Sequence, residues 1–86
     1  MHSQTAEDRI REFILKSFPL ARKAGLKNND KLLETGMIDS LGMLDLVNYL
    51  EAEFSVVISD DDLQPENFDS VDSVTAFVSK KIELKQ

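Results

Sequence analysis

The sequence predicts an all-α fold: a small bundle of three main helices and one short helix, with a long first loop. Three observations carry this. Apolar residues recur at helical spacing in three separate segments. The only β-favouring run, Ser55-Val56-Val57-Ile58, is too short to commit to a strand. The length, 86 residues, suffices for one modest core, because chains of this size bury only about 60–65% of the surface they expose unfolded. Residues 1–86 therefore read as a single domain.

The first helix opens at Thr5, with Asp8 three residues on as a capping-box partner. Ile10, Phe13, Ile14 and Phe18 follow at helical spacing. Pro19 ends it, because proline disfavours helical geometry at the residue before it. Residues 19–38 contain Gly25, Asn28, Asn29 and Gly36 and read as a long loop, of a length that is uncommon and often functional. Leu20, Leu26, Leu32, Leu33, Met37 and Ile38 are expected to tack it onto the core.

The second main helix starts at Asp39-Ser40 and runs to about Phe54. Met43, Leu46, Val47, Leu50 and Phe54 form its core stripe. In the loop that follows, Ile58 is expected to anchor inward. Asp60-Asp61-Asp62 lacks the central glycine and the acid spacing of a calcium loop, so it reads as a solvated acidic turn. Residues 64–68 read as a short helical turn anchored by Phe68. Asp69 or Ser70 then caps the last helix, with Val71, Val74, Phe77, Val78 and Ile82 inward. Lys80, Lys81 and Lys85 suit the negative end of its dipole.

Composition excludes several functions. There is no cysteine, hence no disulfide scaffold, thiolate metal site or cysteine nucleophile. The one histidine, His2, sits beside the N-terminus, which argues against a histidine-based catalytic or metal centre. No stretch approaches the roughly 18 apolar residues of a membrane span. The first eight residues lack the features of a signal peptide, which points to a cytoplasmic protein. There is no Gly-rich phosphate loop and no Gly-x-Ser-x-Gly elbow. The sequence does not read as an enzyme.

Charge is segregated. Residues 1–31 hold seven basic and four acidic residues; residues 32–79 hold eleven acidic residues and no lysine or arginine; the whole chain carries −6. Such a stretch projects a negative field that repels nucleic acid and anionic lipid and steers basic partners inward.

Two features stand apart from the core pattern. Leu41 and Leu44 lie on the second main helix outside its core stripe, in register with Asp45 and Asn48, and form a candidate docking surface. Ser40 sits at the start of the same helix, after the turn Gly36-Met37-Ile38-Asp39. Asp39 or Ser40 can serve as the N-cap. A serine at a helix N-terminus is also suited to carrying a phosphodiester, because free N–H groups and the dipole favour negative charge there.

Taken together, the segment Leu33-Glu34-Thr35-Gly36-Met37-Ile38-Asp39-Ser40-Leu41-Gly42-Met43-Leu44-Asp45-Leu46 resembles the phosphopantetheine attachment region of acyl carrier and peptidyl carrier proteins. The similarity continues through Leu50, Glu51, Phe54, Ile58 and Asn67-Phe68-Asp69-Ser70-Val71. Asp-Ser-Leu alone is a weak signal; the motif, helix register, acidic bias and final-helix pattern together are a specific one. The resemblance implies a carrier of acyl or aminoacyl groups, held as thioesters on a 4′-phosphopantetheine arm attached to Ser40, with Asp39 as the adjacent motif acid. It implies loading by a phosphopantetheinyl transferase that supplies magnesium and a general base. It further implies an acyl- or aminoacyl-activating ligase and acyl-processing enzymes with basic docking patches. Leu41, Leu44, Asp45, Asn48, Glu51 and Glu53 match partner-contacting positions. A shuttle of this kind is expected to be a monomer. The alternative is a carrier-fold interaction protein without a prosthetic group.

The sequence also departs from part of that family. Carriers of primary fatty-acid synthesis usually have an acidic residue where Gly42 stands, a methionine where Asn48 stands and an alanine where Ile38 stands. The departures point to a stand-alone carrier of a specialised pathway.

Overall fold

Pro19, expected only to end a helix, also starts one. In the computed structural model, which describes residues 5–85, α1 spans Ala6–Ser17 and α2 spans Pro19–Ala24, with Phe18 as the hinge between them. Then follow α3, Ser40–Phe54, two single 3-10 turns at Asp60–Asp62 and Pro65–Asn67, and α4, Val71–Lys85. Among the described residues there is no strand, and no helix is long and apolar enough to cross a membrane. His2 lies outside the described residues.

The local signals explain the boundaries. Thr5 Oγ1 accepts the Asp8 N–H at 3.1 Å and Asp8 Oδ2 accepts the Thr5 N–H at 3.3 Å, a reciprocal capping box. The Phe18 N–H closes α1 on the Ile14 carbonyl. Proline fits the first position of a helix, where its missing N–H has no partner to lose. Gly25 ends α2 in the left-handed region at φ 71°, which glycine adopts without steric cost. The expected loop over 19–38 is therefore corrected: its first six residues are helical. Six residues are too few for periodicity to register.

The core is shared by all four helices. Ile10 and Ile14 of α1, Ala21 of α2, Leu46 and Leu50 of α3, and Val71, Val74 and Val78 of α4 are fully buried. The loop after α2 contributes Leu26, Leu32, Met37 and Ile38, but Leu20 and Leu33 are 57% and 43% exposed and do not tack it down. Leu20 and Leu33 each neighbour a buried residue, Ala21 and Leu32, which takes the inward position in their place. Met43 and Phe54, expected in the core stripe of α3, are only half-buried, as are Phe13 and Phe18. Phe13, Phe18, Tyr49 and Phe54 instead form an aromatic row along the seam of α1 and α3.

Polar ties hold the loop before α3 in place. Asn28 accepts from Arg11 at 2.7 Å and donates to Glu7 at 2.9 Å, while its carbonyl accepts the Asp72 N–H. The Leu32 N–H reaches the Asp69 carbonyl at 2.9 Å, and Lys31 pairs with the Asp69 carboxylate. These bonds fasten the loop to α1 and to the start of α4. A turn with Gly36 at φ 78° then delivers the chain to α3. Ser70, not Asp69, caps α4: its hydroxyl accepts the Ser73 N–H at 3.2 Å.

Candidate functional site

The site is the exposed start of α3. Met37 and Ile38, 8% and 1% exposed, pin the chain to the core immediately before it. The next residues, Asp39, Ser40 and Leu41, are exposed. Asp39 stands at the N-cap with extended backbone, and its Oδ1 accepts the Gly42 N–H at 2.7 Å. The capping role therefore falls to Asp39 alone. Ser40 is the first helical residue, and its hydroxyl makes no hydrogen bond among the described residues. A serine that is neither buried nor needed as a cap is open to another molecule, and the positive end of the helix dipole suits a phosphodiester there.

The outward face of α3 continues from Ser40. Leu41 and Leu44 are 74% and 55% exposed, and Asp45 and Asn48 lie in register with them, exposed. No ion pair or hydrogen bond engages the Asp45 carboxylate among the described residues. The other two acids on this helix are engaged. Glu51 is half-buried, and its carboxylate accepts the Ile58 N–H at 2.9 Å, tying the loop after α3 back to the helix. Glu53 lies about a third of a turn away from Leu41 at 3.6 residues per turn. It faces α1, where Arg9 donates to it at 3.1 Å. The six sequence-predicted contact positions thus divide into an unencumbered group of four and two carboxylates with partners inside the fold.

Beside this face, Phe13 stacks on Tyr49 with centroids 4.2 Å apart. The Tyr49 hydroxyl donates to the Arg9 carbonyl at 3.1 Å. Burial, and secondarily the Glu53 charge, pushes the Tyr49 hydroxyl above its ordinary pKa and keeps it protonated. It is a structural group. The acidic run at Asp60–Asp62 is likewise structural: it forms a 3-10 turn capped by Ser59, and Asp62 pairs with Lys81 of α4. Among the described residues no group of three His, Cys, Asp or Glu side chains is placed to hold a metal ion.

One feature of the site has no signal in the local sequence. Gly42 is buried against the ring of Phe18, from the hinge between α1 and α2. The contact joins residues 24 positions apart, so no spacing rule finds it.

Residues 8–78 match the family model described as "Phosphopantetheine attachment site". The chain is 32% identical over 74 residues to the probable acyl carrier protein PigG of Serratia sp. (strain ATCC 39006), covering 86% of this chain and 85% of that one.

Proposed function

The chain belongs to the phosphopantetheine-binding carrier proteins, and on that premise we propose that Ser40 is its attachment residue and residues 1–86 a single carrier domain. The carrier function and the covalent 4′-phosphopantetheine cofactor belong to the family. The assignment to Ser40 rests on one observation: Asp39 caps α3 through the Gly42 N–H, which leaves the neighbouring serine hydroxyl exposed and uncommitted.

The chemistry asked of this chain is small. The Ser40 oxygen forms a bond to the phosphorus that carries the pantetheine chain of coenzyme A. The phosphoanhydride bond breaks, 3′,5′-ADP leaves, and the hydroxyl proton passes to a base of the loading transferase. Asp39 holds the first turn of α3 still while this happens, and the helix dipole stabilises the new phosphodiester. When bound, the arm supplies a terminal thiol for the cargo. The chain itself performs no chemistry on that cargo; it presents it. Tethering raises the effective concentration of cargo at each partner active site.

Leu41, Leu44, Asp45 and Asn48 form the docking face for the transferase, an acyl- or aminoacyl-activating ligase and the processing enzymes. Glu51 and Glu53 contribute charge at its rear. The uninterrupted acidic stretch around this face favours partners with basic patches. Fast, weak, salt-sensitive docking suits a shuttle. The similarity to a probable acyl carrier supports an acyl cargo, and the departures at Ile38, Gly42 and Asn48 support a specialised pathway. We read the chain as a cytoplasmic monomer, a state that would leave α3 open to partners.

The test is intact-protein mass spectrometry after incubation with coenzyme A, magnesium and a broad-specificity transferase. The wild-type chain is expected to gain one phosphopantetheine group. Ser40→Ala is expected to gain none while keeping its helical circular dichroism, because Asp39 still caps. A gain in Ser40→Ala would move the attachment elsewhere. No gain in the wild type, with a known carrier modified in parallel, would count against the assignment.

A further inference from the structure

We propose that Phe18 is a positioning residue for Ser40, acting through Gly42 and the Asp39 cap. The proposal rests on the reading of Ser40 as the attachment site. A Cβ placed on Gly42 would lie 2.6 Å from Phe18 Cε1, 3.1 Å from Asp39 Oδ1 and 3.2 Å from Ile38 Cγ2. The first distance is a hard overlap. The second involves the oxygen that accepts the Gly42 N–H at 2.7 Å and so sets the first turn of α3. The ring of Phe18 therefore fills the place that a side chain at residue 42 would take, and the helix start rests directly on it.

The ring is half-buried and has an aromatic neighbour on one side. It meets Phe13 edge-on, with centroids 6.1 Å apart and planes at 79°, and Phe13 is itself stacked on Tyr49 of α3. The Phe18 backbone is also held, by its N–H to the Ile14 carbonyl at 2.9 Å and by Pro19, which restricts the residue before it to extended geometry. The corner between α1 and α2 thus has its backbone held behind Gly42, with Asp39 and Ser40 on the solvent side. A group added at residue 42 must displace the Phe18 ring, push the first turn outward or loosen the Asp39 cap, and the last two displace the Ser40 hydroxyl. Displacements near 1 Å from residues outside the chemistry can slow a reaction about a hundredfold.

The experiment compares loading kinetics of the full apo chain and its Gly42→Ala, Phe18→Ala and Gly42→Ala/Phe18→Ala variants. Coenzyme A and a broad-specificity transferase are the probe, with kcat and KM read by mass spectrometry well below each variant's thermal midpoint. Gly42→Ala is expected to lower kcat about ten- to hundredfold with KM changed less than about threefold, because Leu44, Asp45 and Asn48 of the docking face lie beyond the displaced first turn. Removing the ring relieves the overlap, so the double variant is expected to load at the rate of Phe18→Ala alone. That rescue is the signature of the contact; loss of packing alone would add, not cancel. A wild-type rate in Gly42→Ala, or a double variant as slow as Gly42→Ala, overturns the proposal. Should Gly42→Ala fail to fold, Phe18→Ala decides: a fall in kcat of about threefold or more at unchanged KM supports positioning, whereas a lowered thermal midpoint with wild-type kcat makes Phe18 a packing residue only. Failure of the underlying reading looks different: the wild type gains no arm, or Ser40→Ala gains one.

Discussion

Helices α3 and α4 have the same length, 15 residues each, and opposite outward faces. α4 buries Val71, Val74 and Val78 completely and turns Asp72, Ala76, Ser79 and Lys80 to solvent, with a single exposed Leu84 near its end. α3 buries Leu46, Val47 and Leu50 but leaves Leu41 and Leu44 in water beside Asp45 and Asn48. Fully burying a leucine side chain is worth about 1.5–3 kcal/mol, so α3 forgoes that stabilisation twice within four residues. Both helices carry paired charges, Lys81 of α4 with Asp62 and Glu53 of α3 with Arg9, but Asp45, on the face of Leu41 and Leu44, makes no such pair among the described residues. Apart from Ala76 and Leu84, α4 turns a polar face outward, whereas α3 turns two leucines outward beside an acid.

This contrast can be broken by substitution. On the inward side both helices are core elements. Leu50→Ala is expected to cost about 2–5 kcal/mol, as a core truncation that leaves a cavity, read from chemical denaturation. Phe54→Ala should cost less than Leu50→Ala, because Phe54 is half-exposed and meets Tyr49 only edge-on. On the outward side they should differ. Leu44→Lys is expected to lower transferase kcat/KM about tenfold, or about 1.4 kcal/mol, with stability within about 0.5 kcal/mol of wild type. Ser79→Lys adds the same charge to the outward face of α4 and should leave loading unchanged. Equal loss in both variants would mean that only net charge matters and that α3 has no special face. A smaller effect is expected at the cap: Asp39→Ala should destabilise by about 1 kcal/mol by freeing the Gly42 N–H, measured as a shift in thermal midpoint.

The sequence made the long helices legible because each carries several turns of apolar period between a cap and a breaker. Thr5 with Asp8, Asp39, and the Asp69-Ser70 pair mark three starts that the structure contains. It made the outward positions of α3 legible for the same reason: once the inward stripe is fixed, the remaining faces follow from 3.6 residues per turn. Ser40 stands out instead by its place at the helix start and by the motif around it. What stayed hidden has a common cause in distance along the chain. Pro19 and Gly25 bracket α2 with the usual start and stop residues, yet six residues carry too little period to separate a helix from a loop. Periodicity located the stripe through Met43 and Phe54 but not where the neighbouring helices cease to cover it. It also gave no reason for Val56 to be buried and Val57 to be 78% exposed. Glu51 and Glu53 look equivalent to Asp45 in sequence; only the folded chain brings the Ile58 N–H and Arg9 to them. The Phe18–Gly42 contact belongs to the same class.

The finest test of the contrast is a titration. Asp62 accepts from Lys81 Nζ at 2.6 Å, and from the Ser59 N–H and hydroxyl at 3.0 and 3.1 Å. Lys81 first, and then Ser59, hold its carboxyl below the ordinary aspartate value. A depressed folded-state pKa means that the tie stabilises the protein fully above the unfolded value of about 3.9 and is lost as pH falls through the folded one. Solvent screens a pair this close to the surface, so the change in stability should be slight. The carboxyl resonance itself is the sensitive readout. Its NMR midpoint is expected below about 3.9, moving up toward that value in Lys81→Ala. A midpoint already at the ordinary value in the wild type would mean that Lys81 stands free in solution. The polar face of α4 would then be as available to partners as that of α3, and the distinction between the two helices would rest on Leu41 and Leu44 alone.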